Sequence, residues 1–320
     1  MSFPGRGRAA ILCAVLLCAT PGRGKLYLTG AGAALIEQRL ASAPPTGAEA
    51  AEFVPLNGPT VRMRSNEAQA TTAPWIEANA WRFERGVKKA RYDKLPAGSA
   101  VPAAAECFVY GVDAILDPDP ADVPELGKFL QFLGSQEQSR LPVMANIGVV
   151  DDKSPAMDEV LNMLTRRNLL YRVTSAPDRK LDLTVQLGSK DFLREWAQDP
   201  SDFAARVRAK LGDDRRLVRL YGTSTVIAHL TGDGKRLRLY LQNYVRAGGR
   251  GQGGRGQGGG GGGQPIRVRV LGHYRPVAFA AFGAPDGAKL TDIENPGNAT
   301  EFSVPAFQTL AIIEMEAANK

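Results

Sequence analysis

Cysteine and histidine are scarce: three cysteines and two histidines in 320 residues. Cys13 and Cys18 lie near the N-terminus, leaving Cys107 alone in the rest of the chain. A lone cysteine makes no internal disulfide and no cysteine-based metal site. His229 and His273 stand 44 residues apart, so no histidine cluster is expected either, and neither a metal nor a cofactor is predicted. No Gly-X-Ser-X-Gly occurs, which removes the usual serine-hydrolase elbow. The stretch from Thr29 to Gly32 follows an apolar run. It lacks the third glycine of a dinucleotide loop and the Lys-Ser/Thr of a P-loop. A strong excess of charge is missing too. The formal +7 is modest, and basic and acidic residues are mixed, the pattern of a solvated surface and not of a nucleic-acid stripe.

Long apolar runs are also missing. The longest near the N-terminus, residues 9–19, follows Arg6 and Arg8 and precedes Pro21 and Gly22. It is too short for a membrane-spanning helix, which needs about 20 apolar residues, and it reads as an export signal covering residues 1–19. Its loss would take the charge from +7 to +5, since Arg6 and Arg8 go with it. The expected product is an exported protein, periplasmic or extracellular, without stable membrane insertion.

What remains has 44% hydrophobic and 23% charged residues, ordinary for a globular protein of two or three domains. Residues 25–30 read as a strand, 31–42 as an amphipathic helix, and 61–64 as another strand. A helix over 101–111, a strand over 112–117 and a helix over 123–133 repeat the rhythm of an open α/β sheet or a (β/α) barrel. A continuous apolar strand over 143–150 suits a parallel sheet buried on both faces. Ser154, Pro155 and Asp158 then mark a helix start. With strands over 169–173 and 181–187 and a helix over 203–211, the middle of the chain reads as a Rossmann-like βαβ unit. From Arg216 onward, short alternating runs broken by turns predict antiparallel sheets, a β-sandwich. Residues 248–263 contain 12 of the 35 glycines and read as a disordered insertion between two strands.

Two of the three tryptophans share one polar tract, Asn66 to Arg85. Read as a strand over 75–83, it places Trp75, Glu77, Asn79, Trp81 and Phe83 on one face. Aromatic rings cover the apolar face of a sugar while Glu and Asn take its hydroxyls. The expected ligand contacts are Asn66, Trp75, Asn79, Trp81 and Arg82, with a carbohydrate or cell-envelope polymer as partner and no nucleic acid. If the protein hydrolyses glycosides, Glu67 and Glu77 are the candidate catalytic carboxylates, since two acids must flank the scissile bond. If the tract is purely structural, Trp75 and Trp81 are buried against the next helix. Asp117, Asp119 and Asp122 read as turn and helix-start residues before a calcium site.

The segment from Ile147-Gly-Val-Val-Asp151-Asp to Val173-Thr-Ser-Ala resembles the class I glutamine-amidotransferase-like Rossmann modules. In secreted glycoside-hydrolase-like proteins such a module follows a (β/α) barrel and precedes a C-terminal β-sandwich. The phrase from Val109 to Leu116 looks like a late barrel step, and the β-rich end looks like that sandwich. The resemblance covers roughly residues 100–320 and implies three regions: a partial barrel-like α/β region (25–140), the Rossmann-like module (141–215) and the β-sandwich (216–320). An active amidotransferase needs a cysteine on a glycine-flanked elbow with a histidine partner. Cys107 precedes the module and has no flanking glycine, so the module is expected to be structural. A complete eight-stranded barrel needs about 200 residues, more than precede residue 141, so any barrel is partial.

Overall fold

The computed structural model describes residues 24–62, 75–245 and 265–318. In its first part, β1 (Leu26–Leu28), α1 (Ala33–Glu37), α2 (Ala48–Ala51) and β2 (Val54–Pro55) are followed by the antiparallel pair β3 (Thr60–Arg62) and β4 (Trp75–Glu77). Then come α3 (Ala80–Glu84), β5 (Lys89–Tyr92), α4 (Ala100–Tyr110), β6 (Asp113–Leu116) and α5 (Val123–Gly134). Four strands form a parallel sheet in the order β1-β6-β5-β2. Ser42 adds a one-residue parallel bridge to Tyr27 on the free side of β1. Across the sheet the chain order therefore runs cyclically, with the first strand beside the last and a gap between Ser42 and β2.

β5 follows the period of a half-covered strand, burying Ala90 and Tyr92 while Lys89 and Arg91 stay half-exposed. α4 is buried along nearly its whole length, because the sheet covers one side and the C-terminal strands the other. One core joins Leu28, Tyr92 and Ala104 to Tyr240 and Ile312. Gly111 ends α4 in the left-handed region at φ 62, where glycine carries no Cβ penalty.

The middle part consists of β7 (Ile147–Val150), α6 (Pro155–Arg166), β8 (Tyr171–Thr174), β9 (Leu183–Gln186) and α7 (Pro200–Leu211). Its three strands are parallel in the order β8-β7-β9. Ser154 caps α6, its Oγ accepting from the Met157 N–H at 3.2 Å, and Pro155 occupies the first turn.

The last part holds β10 (Val218–Tyr221), β11 (Val226–Gly232), β12 (Arg236–Asn243), β13 (Ile266–Leu271), β14 (Tyr274–Ala281), β15 (Thr291–Glu294), β16 (Ala299–Val304) and β17 (Leu310–Ala317). They pair antiparallel in two four-stranded sheets, β10-β13-β16-β15 and β11-β12-β17-β14. Val268 and Phe302 of one sheet share a core with Leu239 and Ile313 of the other.

Three expectations are corrected. The strand over 75–83 stops at Glu77, and residues 80–84 are helical; Asn79 already has αR geometry, so the two-residue alternation breaks there. The helix over 31–42 shrinks to α1, ended by Arg39 at φ 60. The strand over 143–150 begins only at Ile147. Ahead of it Val143 bridges Thr231, and the Met144 N–H donates to the Leu230 carbonyl at 2.9 Å, so that segment serves the C-terminal sheet instead. The glycine-rich stretch 248–263 and the export signal 1–19 lie outside the described residues.

Candidate functional site

The tract read as an aromatic wall forms a joint between the first and middle parts. Trp75 is half-buried on β4, and the Arg166 guanidinium from α6 lies 3.8 Å from its ring centre. Glu77, also half-buried, accepts a 3.0 Å hydrogen bond from Thr60 Oγ1 across the β3–β4 pair. Trp81 is 7% exposed and packs with Met157, Val160 and other residues of the middle core. Arg82 covers its ring at 4.1 Å. Arg85 grips Asp151 through two bonds of 2.8 and 2.7 Å and also pairs with Asp158 at the start of α6. Its guanidinium holds the Asp151 carboxyl far below the usual carboxylate range. Asn66 and Glu67 lie outside the described residues. The structure thus brings Asn79, Arg82 and Trp81 together around α3, and leaves Trp75 and Glu77 on the adjoining strand.

Asn79 belongs to a network that the sequence reading missed. Glu106, fully buried in α4, accepts from the Asn79 backbone N–H at 2.8 Å and from the Tyr244 hydroxyl at 2.8 Å. Asn79 Nδ2 also donates to it at 3.4 Å and to the Asn57 carbonyl at 2.9 Å, while Asn79 Oδ1 accepts from Arg82 at 3.2 Å. The amide therefore relays the Arg82 charge to a carboxylate lacking a direct cationic hydrogen-bond partner among the described residues. Burial pushes Glu106 up to about 7, with the Asn79 and Tyr244 hydrogen bonds opposing the rise. One signal could have found it: a single acid inside the apolar run from Val101 to Val109, where a charge needs partners. Beside it, the buried Cys107 thiol donates to Tyr92 Oη at 3.8 Å, and burial raises its pKa strongly, so it is no thiolate nucleophile.

A second polar cluster lies where all three parts meet. His229 Nδ1 is 3.4 Å from Glu84 Oε1, and the imidazole packs on the Tyr110 ring at 4.4 Å between centres. Tyr171, bonded to Thr165 at 2.9 Å, closes the same cavity, whose volume is about 20 Å³. That is room for one water, not for a substrate. Asp119 caps the turn before α5 through the Ala121 N–H at 2.8 Å. Asp122 receives the Gly98 N–H on both oxygens at 2.7 Å and the Ala100 N–H at 3.2 Å. Both aspartates work as caps. Among the described residues no group of three His, Cys, Asp or Glu side chains is placed to hold a metal ion, and no helix is long and apolar enough to cross a membrane.

A larger opening separates the first part from the last. The starts of α4 and α5 face the end of β12 and the residues ahead of β17 across a cleft of about 160 Å³, with Asp122, Glu125, Asn243 and Thr309 on its walls.

No family model and no curated protein matches this sequence. Solved structures do. Alpha-L-fucosidase isoenzyme 2 from Paenibacillus thiaminolyticus superposes with a TM-score of 0.50 at 9% identity, over 69% of this chain and 57% of the fucosidase. A catalytic mutant of the GH42 beta-galactosidase from G. stearothermophilus is more distant, with a TM-score of 0.37 at 7% identity over 69% of this chain and 51% of that one. The chain spans little more than half the length of either enzyme. At this identity the likeness concerns the fold alone: an α/β architecture with parallel and antiparallel sheets, of glycoside-hydrolase-like form.

Proposed function

We propose that this chain is an exported, carbohydrate- or envelope-polymer-associated protein of glycoside-hydrolase-like build that acts by binding. In this reading residues 1–19 are its export signal. The cyclically ordered sheet is a partial barrel, β7–β9 with α6 and α7 form the amidotransferase-like Rossmann module, and β10–β17 form the C-terminal β-sandwich. The fold likeness to the fucosidase supports the carbohydrate association.

What supports binding over hydrolysis is the engagement of Glu77, the described one of the two candidate catalytic carboxylates, across the β3–β4 pair. Glu106 is sealed in the interior, Asp122 is tied to two backbone N–H groups, those of Gly98 and Ala100, and Glu77 is engaged by Thr60. A glycosidase needs two carboxyls facing one another across a cleft about 5–10 Å wide, free to exchange protons. In the proposed surface Trp75, Glu77 and Arg82 meet the ligand, Asn79 and Trp81 hold it from beneath, and Asn66 is a further proposed contact.

The test titrates purified protein with soluble polysaccharides and glycan fragments, following tryptophan fluorescence and assaying released reducing ends. Binding without product, with the fluorescence change abolished by Trp75→Ala, is the expected result. Product that disappears in Glu77→Gln or Glu67→Gln would make it a glycosidase. Neither binding nor product would leave a structural module, for which the burial of Trp81 already speaks.

A further inference from the structure

The cleft at the starts of α4 and α5 plays no part in the surface just described, and its chemistry points to a second ligand. Asn243 lines it while being only 3% exposed. Its Oδ1 is occupied, accepting from Thr225 Oγ1 and from the Val245 N–H, each at 3.1 Å. Its Nδ2 has no acceptor among the described residues and is not sealed from solvent, so its two N–H bonds are open to a partner at the cleft wall. A ligand hydroxyl that accepts from this amide would take the place of the water it otherwise holds.

The rest of the lining is complementary. Thr309, 9% exposed, brings a hydroxyl and Gln308 an amide, while Val101 and Pro102 give an apolar side. Glu125, exposed in the first turn of α5, brings a carboxylate that can accept two hydroxyl hydrogens. Asp122, held by Gly98 and Ala100, fixes the wall between them. The charged described lining residues are both acids, which disfavours an anionic ligand. A volume of about 160 Å³ has room for several waters, and so for one small ring. The cleft also opens beyond the C-terminal ends of β5 and β6, the side of a parallel sheet on which ligands collect.

We infer that this cleft binds one neutral polyhydroxylated ring, with the Asn243 amide donating to a ring hydroxyl and Glu125 accepting from another. The inference rests on the carbohydrate reading and adds to it a site built on other elements.

The experiment follows the Asn243 side-chain amide in ¹H–¹⁵N spectra of the full chain, assigned by its loss in Asn243→Asp. That variant keeps Oδ1 for Thr225 and Val245 and replaces the donor with an acceptor. Glu125→Ala, at an exposed position, serves as the variant least able to disturb folding. Galactose, glucose and fucose are the neutral probes, with glucuronate and glucosamine as charged counterparts and the polysaccharide panel in parallel. The expected result is a shift of the Asn243 amide by a neutral sugar and not by glucuronate, weakened at least tenfold in Asn243→Asp and severalfold in Glu125→Ala. Neutral sugars or polysaccharides that bind while the Asn243 amide stays unmoved, or bind both variants as tightly as the parent, overturn the cleft and leave the carbohydrate reading standing. Occupation by glucosamine alone overturns the neutral-ring assignment. No binding by any probe overturns both.

Discussion

Burying Glu106 among apolar side chains makes its proton part of the folding equilibrium. The carboxyl titrates near 7 in the folded protein against an ordinary value of 4.5. Between those values the folded protein keeps a proton that the unfolded chain has released. Stability therefore falls as pH rises from about 4.5 to 7 and is level above, by on the order of 3 kcal/mol in all. The other titratable groups around it, Tyr92, Tyr244 and Cys107, are all raised, and Arg82 stays cationic, so none of them titrates inside that window. Glu106→Gln should remove this slope, and urea unfolding of both proteins at pH 5 and pH 8 measures it. Parallel profiles for parent and variant would mean that Glu106 is ionised throughout. At this scale the network was not legible: Asn79 and Arg82 were expected as ligand contacts on a strand face, not as partners of a buried acid. Their partner Glu106 sits 27 residues on from Asn79, and nothing local to either residue links them.

At the scale of elements, α3 is pinned to α6 by charge and by aromatic packing, and the two can be separated. Trp81→Ala empties a buried site in the middle core and should cost about 3–5 kcal/mol. Trp75→Ala removes a half-buried ring stacked with Arg166 and should cost about 1 kcal/mol. Arg85→Met strands Asp151, whose side chain is 3% exposed, with Lys153 as its remaining cation, and should cost about 2–4 kcal/mol. Guanidinium denaturation of the three variants tests the order; equal effects at both tryptophans would contradict the joint. A helix end with local chemistry was readable in advance at Ser154 with Pro155, because a cap acts within one turn. The tract 75–83 was not readable. Its alternation fits a strand, and only packing of Trp81 on the middle core and Phe83 on the first core turns residues 80–84 into a helix. β14 escaped as well, since Pro276 argues against a strand except at a sheet edge, which is where it lies.

For the whole molecule, the architecture was legible as a sequence of parts but not in how the parts meet. Strand type follows from local pattern, whereas β1 pairs with β6 across 88 residues, a choice made by the common core. The contact of α4 with β12, carried by Tyr240 and by the Tyr244–Glu106 bond, was likewise invisible locally. Connection length matters less at this scale. β12 and β13 are joined through residues 248–263, and closing a long connection costs only about 0.6 kcal/mol more for each doubling of its length. Replacing residues 248–263 with four Gly-Ser residues should leave the melting temperature within a few degrees, as calorimetry can show. A large drop would mean that the stretch packs on the folded body.

The gap in the cyclic sheet has a consequence for how the molecule behaves in a crowd. Among the described residues β2 is paired on one flank only, and Val54 there is 43% exposed, an invitation to strand-by-strand aggregation. β2 is only two residues long, and the second is Pro55, which has no N–H to offer an incoming strand. The outer strand of a C-terminal sheet, β14, carries Pro276 and a register shift beside it. Two open borders of unrelated sheets are thus blunted by the same residue type, and each keeps neighbouring molecules from extending its hydrogen-bond ladder.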